Sequence, residues 1–317
     1  MRLSDQKPLD FIKQSCSALI LLLYLALGSA CAPMQVIDTT IRQQSLTSYN
    51  QNLTESKKVI VDEIIKMTYK PFPMDYNSYV KKWLYYYSRG KGREHMKRYL
   101  ERSNRYLEYM GDILAKNSLP RELVYMSMTE SGFWPYAKSP ANAVGYWQFI
   151  KPTGQSYKLK ISPYVDERRD FALSTQAATN YLRDLYSVFQ DWRLSIAAYN
   201  CGEQCVRNGI RRKNSKNFWY LVSKKALPPE TREYVPKVIA MARIALEPAS
   251  YGFYNLSYQQ PLDYRLISIK GDSSLSQIAN YLKVPYNEIK SLNPKFKTDR
   301  VPAGSGSQLR IPSYITI

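Results

Sequence analysis

The sequence predicts a mainly α body followed by a small α+β module with the order strand, helix, helix, strand. Apolar residues recur at spacings of three and four across much of residues 76–246, the period of a helix with one buried face. No stretch before residue 264 alternates apolar and polar residues as a half-buried strand does. Composition changes after Glu247-Pro248, and two apolar runs then flank two short helical patterns between Tyr264 and Pro312. The 317 residues are room for about two domains and an export segment.

Residues 1–30 read as a signal peptide. Arg2, Lys7 and Lys13 precede the apolar run Ala18–Leu27. A run that short cannot span a bilayer, which needs about 20 residues, but it has signal-core proportions. Gly28-Ser29-Ala30-Cys31 follows, and three readings stay open: acylation of Cys31 at a lipoprotein-type processing site, ordinary cleavage after Ala30, or an uncleaved signal anchor. Residues 31–75 are polar and read as a tether, with Lys57–Lys66 as a candidate short helix.

Residues 76–250 form the predicted helical domain. Its lead-in, 76–118, breaks around Gly90-Lys91-Gly92, and Tyr99, Tyr106, Leu107 and Met110 mark an apolar face. The core, 119–250, begins at Pro120, a residue suited to the first turn of a helix running through Glu130. A loop rich in glycine, proline and serine follows. Asp170 and Asp191 are candidate N-caps for the next two helices, the second ending near Asn200 and Gly202. Glu230–Leu246 is the last helix, with Pro236 near its start or at a kink. Residues 251–263 read as a linker. The module 264–313 has strands at Tyr264–Lys270 and Leu309–Pro312 and helices at Ser274–Leu282 and Asn287–Leu292.

Composition excludes several chemistries. One histidine, His95, and four cysteines leave no ligand set for a zinc site, and a Ser-His-Asp hydrolase would need its base at His95, in a basic stretch with no companion motif. The net charge of +19 predicts an anionic partner: nucleic acid, anionic lipid or acidic wall polymer. Export removes nucleic acid from that choice. Export also leaves Cys201 and Cys205, read as a disulfide or as two partly buried free thiols.

Glu130 is the candidate acid. Leu123, Met126 and Glu130 share a helical face by their spacing, and a carboxyl on an apolar face is desolvated and held protonated toward neutral pH. Phe133, Trp134, Tyr136, Tyr146 and Trp147 offer ring faces for sugars, and Ser139, Asn142 and Gln148 offer neutral hydrogen bonds. The alternative for such a glutamate is a solvated charge or a cap.

Glu130-Ser131-Gly132-Phe133, then Pro135, Ala137, Ser139, Ala143, Gly145, Trp147-Gln148-Phe149 and Thr153-Gly154, resemble the signature of the soluble-lytic-transglycosylase family. Ala198-Tyr199-Asn200 with Gly202-Glu203 is similar to its second motif, and Glu230-Thr231 with Tyr234-Val235 to its third. Tyr264-Arg265, Gly271-Asp272, Leu275, Ile278-Ala279, Leu292-Asn293-Pro294 and Leu309-Arg310-Ile311-Pro312 resemble a LysM domain, a glycan-binding module.

The resemblance implies a lysozyme-like helical fold and cleavage of the β-1,4 bond between N-acetylmuramic acid and N-acetylglucosamine in peptidoglycan. No cofactor or metal is implied. Glu130 would be the catalytic acid; Ser139, Gly145, Gln148, Tyr199, Asn200 and Tyr234 would bind substrate. Gly145 would permit close backbone approach, while Tyr146, where a small aliphatic residue is usual, would alter the cleft lining. In the LysM domain, Gly271, Asp272, Ser273, Asn293 and Pro294 would touch glycan. The implied partners are peptidoglycan glycan strands, and a membrane if Cys31 is acylated; oligomeric state is open. Ala32 after Cys31 favours the periplasmic face of an outer membrane, with a soluble periplasmic protein as the alternative. A hydrolytic muramidase and a non-catalytic wall-binding lipoprotein are the competing functions. Asp166, Asp170 and Glu203 read as caps or ion-pair partners rather than a second catalytic carboxyl.

Overall fold

The computed structural model describes residues 70–269, 271–303 and 308–316. The predicted signal peptide, Cys31 and the candidate helix at 57–66 lie outside the described residues. All described residues belong to one compact unit, Glu55–Ile317.

The helical body opens with α1 (Ser78–Ser88), α2 (Arg93–Ser103) and α3 (Leu107–Lys116). Asn77 caps α1 by accepting the Val80 amide at 3.1 Å. The predicted break at Gly90–Gly92 is present, and a second falls at 104–106. The helix expected from Pro120 is a 3₁₀ turn, Arg121–Val124, leading into α4 (Tyr125–Ser131). Leu123 to Met128 are all buried, so α4 is a central helix with apolar surroundings on every side.

After α5 (Lys151–Ser156) and a 3₁₀ turn at Glu167–Arg169 come α6 (Phe171–Phe189) and α7 (Trp192–Cys201). Their caps are the predicted ones: Asp170 accepts from the Ala172 and Leu173 amides, and Asp191 from Arg193 and Leu194. Next are α8 (Glu203–Lys213), α9 (Phe218–Ser223) and α10 (Pro229–Leu246). Helix α10 continues through Pro236 and buries ten residues, packing against α1, α4 and α7. Buried residues of α1–α4 and α6–α10 form one core.

The expected linker is not free. Pro248–Tyr251 is a 3₁₀ turn, Phe253 and Leu262 are buried, the Gln259 amide donates to the Glu101 carbonyl at 2.8 Å, and Tyr109 Oη donates to the Leu262 carbonyl at 2.6 Å. Its aromatic and aliphatic side chains dock on α2 and α3, a long-range outcome that proline and glycine content does not report.

The C-terminal module has β1 (Tyr264–Ser268) antiparallel to β4 (Gln308–Pro312), with Tyr264 opposite Pro312 and Ser268 opposite Gln308. Between them lie α11 (Leu275–Leu282) and α12 (Tyr286–Leu292). Ser274 and Gln277 form a capping box at the start of α11. A second, short pair was not expected: β2 (Ser273–Ser274) with β3 (Arg300–Val301). The mainly α body with a βααβ module is therefore as predicted. Among the described residues no helix is long and apolar enough to cross a membrane.

Candidate active site

Glu130 stands in the last turn of α4, where the buried helix first meets the surface. Gly132 ends that helix in the left-handed region at φ +57°, and a Cβ there would lie 2.1 Å from the Tyr99 ring. The chain must turn at this point, which leaves Glu130 at the rim. Tyr234, on α10, donates to Glu130 Oε1 at 2.5 Å. Burial raises the Glu130 pKa to about 7; the Tyr234 bond pulls it down, and the Glu230 charge adds to the rise. The Tyr199 and Tyr234 hydroxyls are pushed well above 10 by burial and by the Glu130 charge, so both stay neutral donors.

The loop after α4 is stitched by its own polar groups. The Ser139 amide donates to the Ala143 carbonyl at 3.0 Å, and Ser139 Oγ accepts the Ala143 amide at 3.1 Å. Gln148 Nε2 donates to the Gly145 and Ala137 carbonyls at 2.9 and 3.2 Å, so its amide nitrogen serves the loop while Oε1 takes no part in either bond. Ser131 Oγ donates to the Ser127 and Tyr146 carbonyls, tying the end of α4 to the loop. Tyr199 Oη donates to the Trp147 carbonyl at 2.8 Å, and Asn200 Oδ1 accepts from Thr231 Oγ1 at 2.7 Å. The three motifs, far apart in sequence, thus join through Tyr199, Asn200 and Tyr234 around α4.

Phe133, Asn142 and Gln148 all have positive φ, near +59°, +60° and +49°. Such conformations cost about 1–3 kcal/mol each and gather at functional sites. Asparagine tolerates this region best among non-glycine residues, which suits Asn142 to its place in the loop.

Several expectations need correction. Phe133, Tyr146 and Trp147 are core residues, not sugar platforms: each is at most 1% exposed, and Tyr146 packs edge-on against Tyr106. Tyr146 therefore does not line the cleft. The exposed pair is Trp134 and Tyr136, at 46% and 39%, with ring centroids 5.4 Å apart. Gly145 is buried, and its close approach is to protein: at φ +81° a Cβ would lie 1.9 Å from the Arg168 carbonyl oxygen. Asn293 and Pro294 are buried too. The Asn293 side chain holds the Arg310 backbone through two hydrogen bonds, one donated by Nδ2 to its carbonyl and one accepted by Oδ1 from its amide, and Nδ2 also donates to the Ile289 carbonyl. Only Gly271, Asp272 and Ser273 of the proposed LysM contacts reach the surface, with Asp272 bonded to Arg300 and to the Ala303 amide.

Among the carboxyls weighed as a second catalytic group, Asp166 pairs with Arg168 at 2.8 Å, Asp170 with Arg310 at 2.7 Å, and Glu203 with Arg207 at 2.6 Å. Cys201 and Cys205 are joined in a disulfide across the α7–α8 corner. Sequence reasoning missed three supporting residues: Arg168, Thr231 and Glu230. The last two belong to the third motif, but only the fold shows what they touch. Among the described residues no cluster of three or more His, Cys, Asp or Glu could hold a metal ion.

Residues 111–222 match the transglycosylase SLT domain family. Residues 264–314 match the LysM-like domain of lytic transglycosylase MltD. The chain therefore carries an SLT domain followed by an MltD-type LysM-like domain. It is similar to membrane-bound lytic murein transglycosylase D from Escherichia coli (strain K12), with 32% identity over 216 residues, 67% of this chain and 47% of that protein. A putative tributyltin chloride resistance protein from Alteromonas sp. (strain M-1) is 39% identical over 118 residues, 37% of this chain and 57% of that protein. The chain thus spans about half the length of these relatives. The crystal structure of the 70 kDa soluble lytic transglycosylase from Escherichia coli aligns with 22% identity and a TM-score of 0.40, over 58% of this chain and 32% of that one.

Proposed function

We propose that this protein is a lytic transglycosylase of peptidoglycan, cleaving between N-acetylmuramic acid and N-acetylglucosamine without water. The observation that carries the reading is the Glu130 carboxyl at the end of α4, whose pKa of about 7 lets one group serve as acid and then as base. Two-carboxyl glycosidases need a partner to act as nucleophile or to activate water. Asp166, Asp170 and Glu203 are each committed to an arginine.

Protonated Glu130 gives its proton to the glycosidic oxygen as the bond from that oxygen to muramoyl C1 breaks. The carbonyl oxygen of the substrate's own N-acetyl group bonds to C1 and carries the charge. Carboxylate Glu130 then takes the C6 hydroxyl proton, the C6 oxygen attacks C1, and the N-acetyl oxygen leaves. The product is a 1,6-anhydro ring, and Glu130 is protonated again. Tyr234 stabilises the intermediate carboxylate. Ser139, Gln148, Tyr199 and Asn200 orient the sugar, with Trp134 and Tyr136 as exposed ring surfaces. The exposed loop Gly271–Ser273 is the glycan contact of the LysM-like domain. The positive charge favours an anionic wall polymer.

Digestion of purified murein followed by mass analysis tests this. Products with 1,6-anhydro ends are expected; ends heavier by one water would identify a hydrolytic muramidase, and no soluble product a binding protein. Export by residues 1–30 and acylation of Cys31, facing the periplasm, complete the proposal. Fatty-acid labelling of the wild type, lost in Cys31→Ser, checks them.

A further inference from the structure

We propose that the LysM-like domain is a positioning element of the cleft, locked to the helical body through Asp170, with Arg310 as the positioning residue. The proposal rests on the reading of Glu130 above and gives the second domain a role beyond holding glycan.

Asp170 is fully buried and has two duties. Oδ1 caps α6, and the same carboxylate receives Arg310 Nη1 at 2.7 Å and Nη2 at 2.9 Å, a two-pronged pair across the domain boundary. Lys295 Nζ lies 3.5 Å from it and donates to the Gln308 carbonyl at 3.0 Å. The Arg310 guanidinium rests on the Phe171 and Tyr264 rings, 4.5 and 5.2 Å from their centroids. Its backbone is held by the Asn293 side chain on both N–H and carbonyl. Main-chain bonds extend the contact: the Asp166 amide donates to the Lys295 carbonyl and the Lys297 amide to the Tyr164 carbonyl, both at 2.8 Å. Val165 of the helical body is part of the module's own core. The segment 292–297, which includes the expected glycan contacts Asn293 and Pro294, is therefore a docking face for the catalytic domain.

The other side of segment 165–170 holds the cleft loop. The Asp166 carboxylate receives Arg168 Nε at 2.9 Å and Nη2 at 2.8 Å. Arg168 Nη1 donates to the Asn142 and Phe149 carbonyls at 3.1 and 3.0 Å. Gly145 abuts the Arg168 carbonyl, and Gln148 donates to Gly145. One short segment is thus gripped by the module on one side and grips residues 142–149 on the other. Removing one member of a buried ion pair leaves an uncompensated charge, which the surrounding backbone must move to hydrate. A displacement of about 1 Å near a reacting group costs up to about a hundredfold in rate.

The test uses the full chain with a short soluble glycan fragment that fills the cleft alone, beside polymeric murein. Arg310→Met keeps an apolar stem on Phe171 and Tyr264 but removes both prongs. We expect kcat on the fragment to fall at least about tenfold with KM changed less than about twofold. We also expect faster amide exchange at Asp166, Lys297 and 142–149, and partial recovery of all these in Arg310→Lys. Unchanged kcat on the fragment, with only the KM for polymeric murein raised, would make the module a tether and overturn the proposal. So would a fall in kcat without loosening of 142–149. Where Arg310→Met does not fold, Lys295→Met is read by the same measures. Should the wild type leave the fragment uncut, the function above fails, and exchange alone decides: loosening of 142–149 supports the coupling and unchanged protection overturns it.

Discussion

Tyr234 Oη and Glu130 Oε1 are 2.5 Å apart, a hydrogen bond joining α10 to the end of α4 across 104 positions of sequence. It sets two opposed effects on one carboxyl. Burial favours the neutral acid, and the phenol favours the carboxylate. Burial outweighs the phenol, and the pKa settles near 7. A group balanced in this way can lose and regain a proton within one turnover.

Glu130→Gln should abolish release of soluble muropeptides, a loss of at least about a hundredfold. The same change should stabilise the protein at alkaline pH. The folded pKa of about 7 exceeds the unfolded value of about 4.3. Between these values the folded state holds more protons, so wild-type stability falls as pH rises through the window. The glutamine variant lacks this loss. It should be more stable by up to about 3 kcal/mol at pH 8, and about equal at pH 4. Thermal melts at the two pH values check it; equal melting points at pH 8 would contradict the raised pKa.

Tyr234→Phe removes the donor that lowers the Glu130 pKa. The pKa should rise further, and the alkaline limb of the pH–rate profile should move to higher pH. The rate should fall about tenfold or more, because a hydrogen bond to a charged group contributes about 1.5–3 kcal/mol. A profile that keeps its wild-type alkaline limb would show that Tyr234 does not tune the acid.

Glu230→Gln works in the other direction. Its charge raises the Glu130 pKa, so its removal should shift the alkaline limb to lower pH while the product stays 1,6-anhydro. A Glu230 that activated water would show itself differently, through abolished turnover and hydrated ends in the wild-type digest.

The parts of this fold that were legible in sequence depend on near neighbours. Asp170 and Asp191 signal their helices because a cap bonds amides two and three residues on. Glu130 is legible from its motif. What escaped depends on distant contacts. Phe133, Tyr146 and Trp147 look like Trp134 and Tyr136 in sequence, yet the first three are buried and the last two exposed. Which ring faces water is decided by Tyr106, Thr175 and Tyr199, from three other helices or their edges. Asp170 reads as a cap or an ion-pair partner, and only the fold shows that the partner is Arg310, 140 residues later.

Cys201 and Cys205 close a loop of about five residues, for which the chain-entropy relation gives about 2 kcal/mol. Reduction, or replacement of both by serine, should lower the unfolding free energy by no more than that. It should leave the Glu130-dependent pH profile in place, since Asn200 is held separately by Thr231. Parallel denaturation with and without reductant measures the first effect; a changed profile would show that the disulfide bears on Glu130.

Gly145 and Asn142 both have positive φ, but the space around them differs, so opposite substitutions should separate strain from crowding. Asn142→Gly relieves a left-handed conformation and adds chain entropy to the unfolded state, so the change should stay within about 1 kcal/mol. Gly145→Ala places a Cβ 1.9 Å from the Arg168 carbonyl oxygen at φ +81°. The obstructing atom is backbone and cannot rotate away as a side chain would. The loop must shift, at a cost of about 3 kcal/mol or more. Gln148 bonds to the Gly145 carbonyl, so the shift should carry into the cleft and lower kcat beyond what lost stability explains. Chemical denaturation gives the stability term, and kcat measured well below the unfolding midpoint gives the other. A Gly145→Ala protein with wild-type kcat would mean that the cleft does not depend on this contact.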